Sequence, residues 1–140
     1  MKTYIGTKQI EAEPMTMGEA YEAGLLQAGR VPSEGQGPNA GYHVRYADGY
    51  ESWSPAEPFE EAYRVAETYV DRLHVEREEL SARYNKEREF FYSPKFDRLW
   101  PHEKQAFETQ VDIMCKYIAV LDERITQAEA KELGHSGIFS

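Results

Sequence analysis

Four histidines, His43, His74, His102 and His135, and the lone Cys115 are the side chains of this 140-residue chain best suited to proton-transfer, metal or nucleophilic chemistry. Their spacing does not gather them. The histidines fall on four different stretches, no H-E-x-x-H pair sets two ligands on one helix face, and no multi-cysteine cluster is possible. A reactive thiol needs an activating base, and Cys115 has none nearby in sequence, so it reads as a packed structural cysteine. The phosphate loops G-x-x-x-x-G-K-[ST] and G-x-G-x-x-G and the nucleophile elbow G-x-S-x-G are missing. Carboxylates stand side by side at Glu60-Glu61, Glu78-Glu79 and Asp122-Glu123. Adjacent residues on a helix diverge by about 100°, so these pairs cannot share a proton-transfer site and read as solvated helix faces. The expectation is a protein without an enzymatic site, metal or cofactor; were there one, His43 and Glu51 would be the residues to test.

Two aromatic segments offer binding chemistry instead. Tyr42, Val44 and Tyr46 alternate with His43 and Arg45, so one strand face is apolar and the other basic, with Tyr50 or Trp53 across from it. A guanidinium beside aromatic rings can clasp a planar or anionic ligand. Lys8, Arg45, Tyr50, Trp53 and Arg64 are therefore the candidate ligand-binding residues, although burial in a small core is the commoner use of a residue such as Trp53. The second segment runs from Phe90 to Trp100 and is the densest aromatic patch in the chain. It either plugs the end of a helical hairpin or presents an interface, and Phe91, Tyr92, Phe96, Arg98 and Trp100 are the candidate partner or self-contact residues.

These residues need a scaffold. Residues 1–54 hold eight of the ten glycines, and a composition break falls near Trp53-Ser54-Pro55. In the first part Thr3-Tyr4-Ile5 is β-prone, Thr16-Met17-Gly18-Glu19 opens a short helix running through Leu26 and ended by Gly29, and Pro32 to Asn39 forms an exposed loop. Tyr42 to Tyr46, the turn Ala47-Asp48-Gly49 and Tyr50 to Trp53 form a β-hairpin, to which Tyr4-Ile5 adds a third strand because two strands alone are seldom stable. Ser54, Pro55 and Glu57 read as the capped start of a long helix. Along it Phe59, Ala66, Leu73, Leu80 and Glu87 recur every seven residues, beside Tyr63, Val70, Arg77, Tyr84 and Phe91. Ser93-Pro94 breaks this helix and Pro101-His102-Glu103 starts another, with Phe107, Met114, Leu121 and Ala128 in one row, Val111, Ile118 and Ile125 in the next, and Gly134 as cap. The fold class is therefore α+β: a small antiparallel three-stranded sheet with a short helix, then a long antiparallel, coiled-coil-like helical hairpin. Two helices bury only one seam, so self-association into a homo-oligomer is expected.

Charge and composition bound the partners. Sixteen Lys and Arg against 25 Asp and Glu give a net charge of −9, a field that repels phosphate backbones and anionic lipid, so neither direct nucleic-acid nor membrane binding is expected. The start MKTYIGTKQIEAEP lacks an apolar signal region, and no stretch approaches the roughly 18 apolar residues of a membrane span. With a single cysteine, the expected compartment is a reducing cytoplasm.

Thr3 to Lys8, Ala12 to Thr16, Gly41 to Val44, Asp48 to Pro55 with its Gly-Tyr-x-Ser-Trp-Ser-Pro phrase, and Phe59 to Arg64 resemble a module of uncharacterised accessory proteins of tailed bacteriophages and prophages, over residues 2–64. Glu78-Glu79-Leu80, Phe96 to Leu99, Gln110, Met114, Tyr117, Leu121 and Arg124-Ile125 are similar to a helical-hairpin family of small proteins first noted in crAss-like phages, over 69–126. The implied domains are 1–64 and 65–134, with a tail at 135–140. At the level of fold alone, the hairpin also resembles oligomeric phage proteins that sequester cyclic-nucleotide immune signals, whose binding motifs this sequence does not carry.

The resemblances imply a phage or prophage accessory protein acting in the host bacterial cytoplasm, inhibiting a host defence by binding a host protein or sequestering a nucleotide second messenger. The alternative is a phage structural or assembly protein that oligomerises through the hairpin. Presence in the virion at stoichiometric copy number separates the two.

Overall fold

The computed structural model describes residues 1–134, so the expected tail at 135–140, with His135, lies outside the described residues. The chain divides into two compact units, Met1–Arg64 and a second beginning at Val65. The fold is α+β: a three-stranded antiparallel sheet with short helices, and long C-terminal helices.

In the first unit, strand β1 (Glu11–Pro14) leads into helix α1 (Met17–Glu22), and β2 (Gly41–Arg45) and β3 (Glu51–Pro55) form the expected hairpin before helix α2 (Ala56–Ala62). β2 lies between its partners, with Glu13 opposite His43 opposite Trp53, and Glu11 opposite Arg45 opposite Glu51. Gly49 makes the tip possible: its φ of +90° is a conformation that a side chain disfavours. On one sheet face Val44 is 1 % exposed, and Tyr42 stacks on Phe59 of α2 at 4.1 Å, which stacks on Tyr63 at 5.1 Å. The Tyr42 hydroxyl donates to Glu60 at 2.9 Å, and this bond raises its pKa.

The third strand is Glu11–Pro14 and not Tyr4-Ile5, whose side chains are exposed. Pairing, not residue type, selects it. Met15 N donates to Gly41 O, Met17 N to Asn39 O and Gly18 N to Gly37 O, all at 2.9 Å. The chain entering α1 is thus laced to the chain entering β2, and the residues just before Met15 must lie along β2. Helix α1 is also shorter than expected. It starts on a capping box of Thr16 and Glu19, but Ala23, Gly24 and Leu25 N–H groups close it onto Glu19, Tyr21 and Ala20 carbonyls, leaving Leu26 and Gly29 outside.

Ser54 does not cap α2. Register holds it opposite Tyr42 in the sheet, so Pro55 becomes the cap residue and no side chain caps the helix. Nor does one helix run from there to residue 92. Tyr63 is extended, and helix α3 (Tyr69–Phe91) starts afresh at Thr68, whose hydroxyl accepts from Asp71 N at 3.0 Å while Asp71 accepts from Thr68 N at 3.1 Å. The seven-residue spacing runs across this capping box, so Phe59 and Tyr63 belong to the sheet's core and only the later positions to the hairpin's.

In the second unit α3, the short helix α4 (Pro94–Asp97) and helix α5 (Pro101–Gly134) follow the expected breaks at Ser93-Pro94 and Pro101. Gly134, expected as a cap, is the last described residue of α5. Leu73 and Leu80 of α3 bury against Met114, Leu121 and Ile125 of α5, with Tyr84, Ile118 and Ala128 at the margin. This is the seam that the two apolar rows demand.

Candidate functional site

The five residues proposed to bind a ligand do not form one site. The Lys8 ammonium lies 5.4 Å over the Tyr46 ring, which stacks on Tyr50 at 5.8 Å, so Lys8 and Tyr50 are linked only through Tyr46 at the hairpin tip. Arg45 sits on the sheet face that sequence alternation assigns it, but between Glu11 at 3.9 Å and Glu51 at 3.7 Å. His43, on the same face, contacts Glu51 at 2.7 Å and Glu13 at 3.4 Å. Three carboxylates around two bases make this face a poor seat for an anion. Arg64 instead donates to the Glu60 and Tyr63 carbonyls at the end of α2.

Trp53 has a different setting. Its indole Nε1 donates to Met15 O at 2.7 Å, and its ring lies against Gly41, where an added Cβ would stand 2.3 Å from Cζ2. The glycine is what lets the indole lie flat on the sheet. Fixed in this way, Trp53 walls a cleft of about 350 Å³ whose lining includes the buried Met17 and the polar side chains of Arg30, Gln36, Asn39 and Glu57. Sequence reading placed none of these four polar residues in a site. The available signal was the Gly- and Pro-rich stretch at 32–39, since loops held by a scaffold commonly carry binding groups.

The aromatic connector divides. Phe96 is buried and, with Phe90, Phe91 and Phe107, forms a cluster of ring contacts, such as Phe91 to Phe96 at 4.7 Å and Phe90 to Phe107 at 5.2 Å. These residues plug the end of the hairpin. Tyr92, Arg98 and Trp100 point outward, Trp100 with 67 % of its surface exposed. A groove of about 540 Å³ opens beside the plug, floored by Phe90, Leu99, Ala106 and Phe107 and rimmed by Lys86 and Glu103. Farther along α5, Ile113, Tyr117 and Val120 are exposed in a ridge outside the buried seam. The seven-residue interval between Ile113 and Val120 was the overlooked sign of it.

Polar clasps join the helices along their flanks. His74 contacts Glu129 at 2.8 Å, Arg124 donates to the Tyr69 hydroxyl at 2.6 Å, and Tyr117 donates to Glu76. Cys115 is exposed, not packed. It falls outside the buried seam formed by Met114, Leu121 and Ile125, and its thiol hydrogen-bonds Tyr84, raising the phenol's pKa. Among the described residues no group of three or more His, Cys, Asp or Glu side chains is placed to hold a metal ion, and no helix is long and apolar enough to cross a membrane. What the surfaces of both units offer is contact area with a few polar anchors, the equipment of binding.

Residues 67–127, which are nearly the whole hairpin, match the family model described as Sequestin. No curated protein and no solved structure matches the chain.

Proposed function

We propose that this chain is a non-enzymatic accessory protein of a bacteriophage or prophage that counters a host defence by sequestration, with the helical hairpin as its binding element. The carrying observation is the Sequestin match over 67–127, a family name that speaks of holding a molecule and not of transforming one. The exposed Tyr92 and Trp100, the groove beside Phe90 and Phe107, and the ridge at Ile113 and Val120 leave the hairpin with apolar surface outside its own seam. The held molecule is a host defence protein or a nucleotide immune signal in the bacterial cytoplasm. The net charge of −9 suits competition for a basic groove on a host protein. Units 1–64 and 65–134 serve as separate domains, and no cofactor is required.

The test is to purify the chain from an expressing or infected host, then identify proteins by pull-down and bound nucleotides by mass spectrometry. Recovery of neither rejects the reading.

The ridge on α5 favours a second reading, a phage assembly protein whose hairpins associate with one another. Stoichiometric copies in purified virions select this second reading; absence from virions selects the first.

A further inference from the structure

We infer that the cleft beside Trp53 is a small-molecule site in the N-terminal unit, built for a planar nitrogen heterocycle that carries an anionic group, the chemistry of a mononucleotide. The inference goes beyond sequestration by the hairpin, because it concerns the other unit and a different set of residues.

Size comes first. About 350 Å³ is at the small end of the roughly 300–1,000 Å³ usual for ligand sites, room for one ring system and its substituent. The wall is preorganised: the bond from Trp53 Nε1 to Met15 O fixes the indole and occupies its one polar group, and Gly41 supports the ring. A flat ring stacks on a fixed indole with little loss of side-chain freedom.

The polar groups supply the rest. The Arg30 guanidinium, the Asn39 carboxamide and the Glu57 carboxylate have no hydrogen-bond or ion-pair partner among the described residues. Gln36 spends its Oε1 on Ser33 N at 2.9 Å and keeps its amide N–H groups. One cation, two carboxamides and one carboxylate therefore line the cleft with Trp53, with Arg30, Asn39 and Glu57 at its solvent-exposed rim. The guanidinium answers an anionic substituent. The amides and Glu57 match the mixed donors and acceptors of a heterocycle's edge. The loop that carries Gln36 and Asn39 is held in place, since Gln36 N donates to Ser33 O and Asn39 O accepts from Met17 N, while Glu57 stands on α2.

Calorimetric titration of the full chain with AMP and GMP tests this, with adenosine lacking the anion and ribose 5-phosphate lacking the ring. Trp100→Phe leaves Trp53 as the sole tryptophan, so saturable quenching of its emission reports the same event at the cleft. The expected result is one mononucleotide per chain, with binding weakened at least about tenfold by Arg30→Gln or by loss of either ligand half. Asn39→Ala keeps the test sound where another variant misfolds, and circular dichroism confirms folding. Absence of saturable binding by the folded protein overturns the inference, as does full affinity in Arg30→Gln. Loss of binding through Trp100→Phe or Tyr92→Ala moves the ligand to the hairpin and overturns the cleft, while leaving sequestration standing. Binding at Trp53 with no molecule recovered from the host supports the cleft and removes sequestration.

Discussion

Arg77 of α3 grips Asp122 of α5 with two bonds, Nε to Oδ1 at 2.7 Å and Nη2 to Oδ2 at 3.4 Å, while its Nη1 donates to Ser81 at 3.0 Å. The guanidinium thereby links the two helices of the hairpin and is itself held on α3.

The Arg77 bond keeps the Asp122 carboxyl below its usual range, and Asp122 raises the Arg77 pKa in return. A carboxyl with a depressed folded-state pKa adds stability above its unfolded value, about 3.9, and that stability is lost as pH falls through the folded value. Asp122→Asn should lower the melting temperature at neutral pH, with the gap from the parent closing below about pH 4. Added salt should narrow the gap too, because both side chains are partly exposed. Helical ellipticity followed against temperature, pH and salt reads this out; a gap constant in pH would contradict it.

Leu121 is fully buried in the hairpin seam, whereas Ile113, eight residues earlier on the same helix, is 57 % exposed. Leu121→Ala should cost about 2–5 kcal/mol. Ile113→Ala should stay within about 0.5 kcal/mol at a concentration where the chain is monomeric. Urea unfolding monitored at 222 nm compares them.

Gly41→Ala should destabilise the sheet unit by about 1–3 kcal/mol, because the new Cβ clashes with both the Trp53 ring, 2.3 Å away, and the Ser54 carbonyl oxygen, 2.5 Å away. In a Trp100→Phe background, Trp53 emission should shift toward that of a solvated indole. Unchanged emission and stability would show that the indole does not rest on this glycine.

Thr68→Ala removes the capping box that starts α3 and should cost about 1 kcal/mol, most of it recovered by Thr68→Asn. Parallel denaturant curves of the two variants provide the comparison.

Self-association through α5 predicts that Val120→Glu converts an oligomer to a monomer in light scattering, with helical content unchanged. The charge lands on the exposed ridge and not in the seam. An unaltered molar mass would remove the ridge as the contact.

The amino-acid order determined by itself what depends on neighbours near in sequence. Leu73 and Leu80 share a helix face, as do Met114 and Leu121, because helix geometry fixes their spacing. Asp48-Gly49 specified the hairpin tip through glycine's positive φ, and Ser93-Pro94 and Pro101 marked the helix ends through the chemistry of proline. Heptad counting misplaced Phe59 and Tyr63, since it is blind to a cap that restarts a helix in the same phase. Only the tertiary structure decided which segment became the third strand, that Arg45 faces Glu11 and Glu51, and that Arg30, Asn39 and Glu57 line one cleft with Trp53. Those juxtapositions join residues up to 34 positions apart, as in Arg45 and Glu11. They follow from backbone bonds such as Met17 to Asn39 and Gly18 to Gly37 that no side-chain pattern announces.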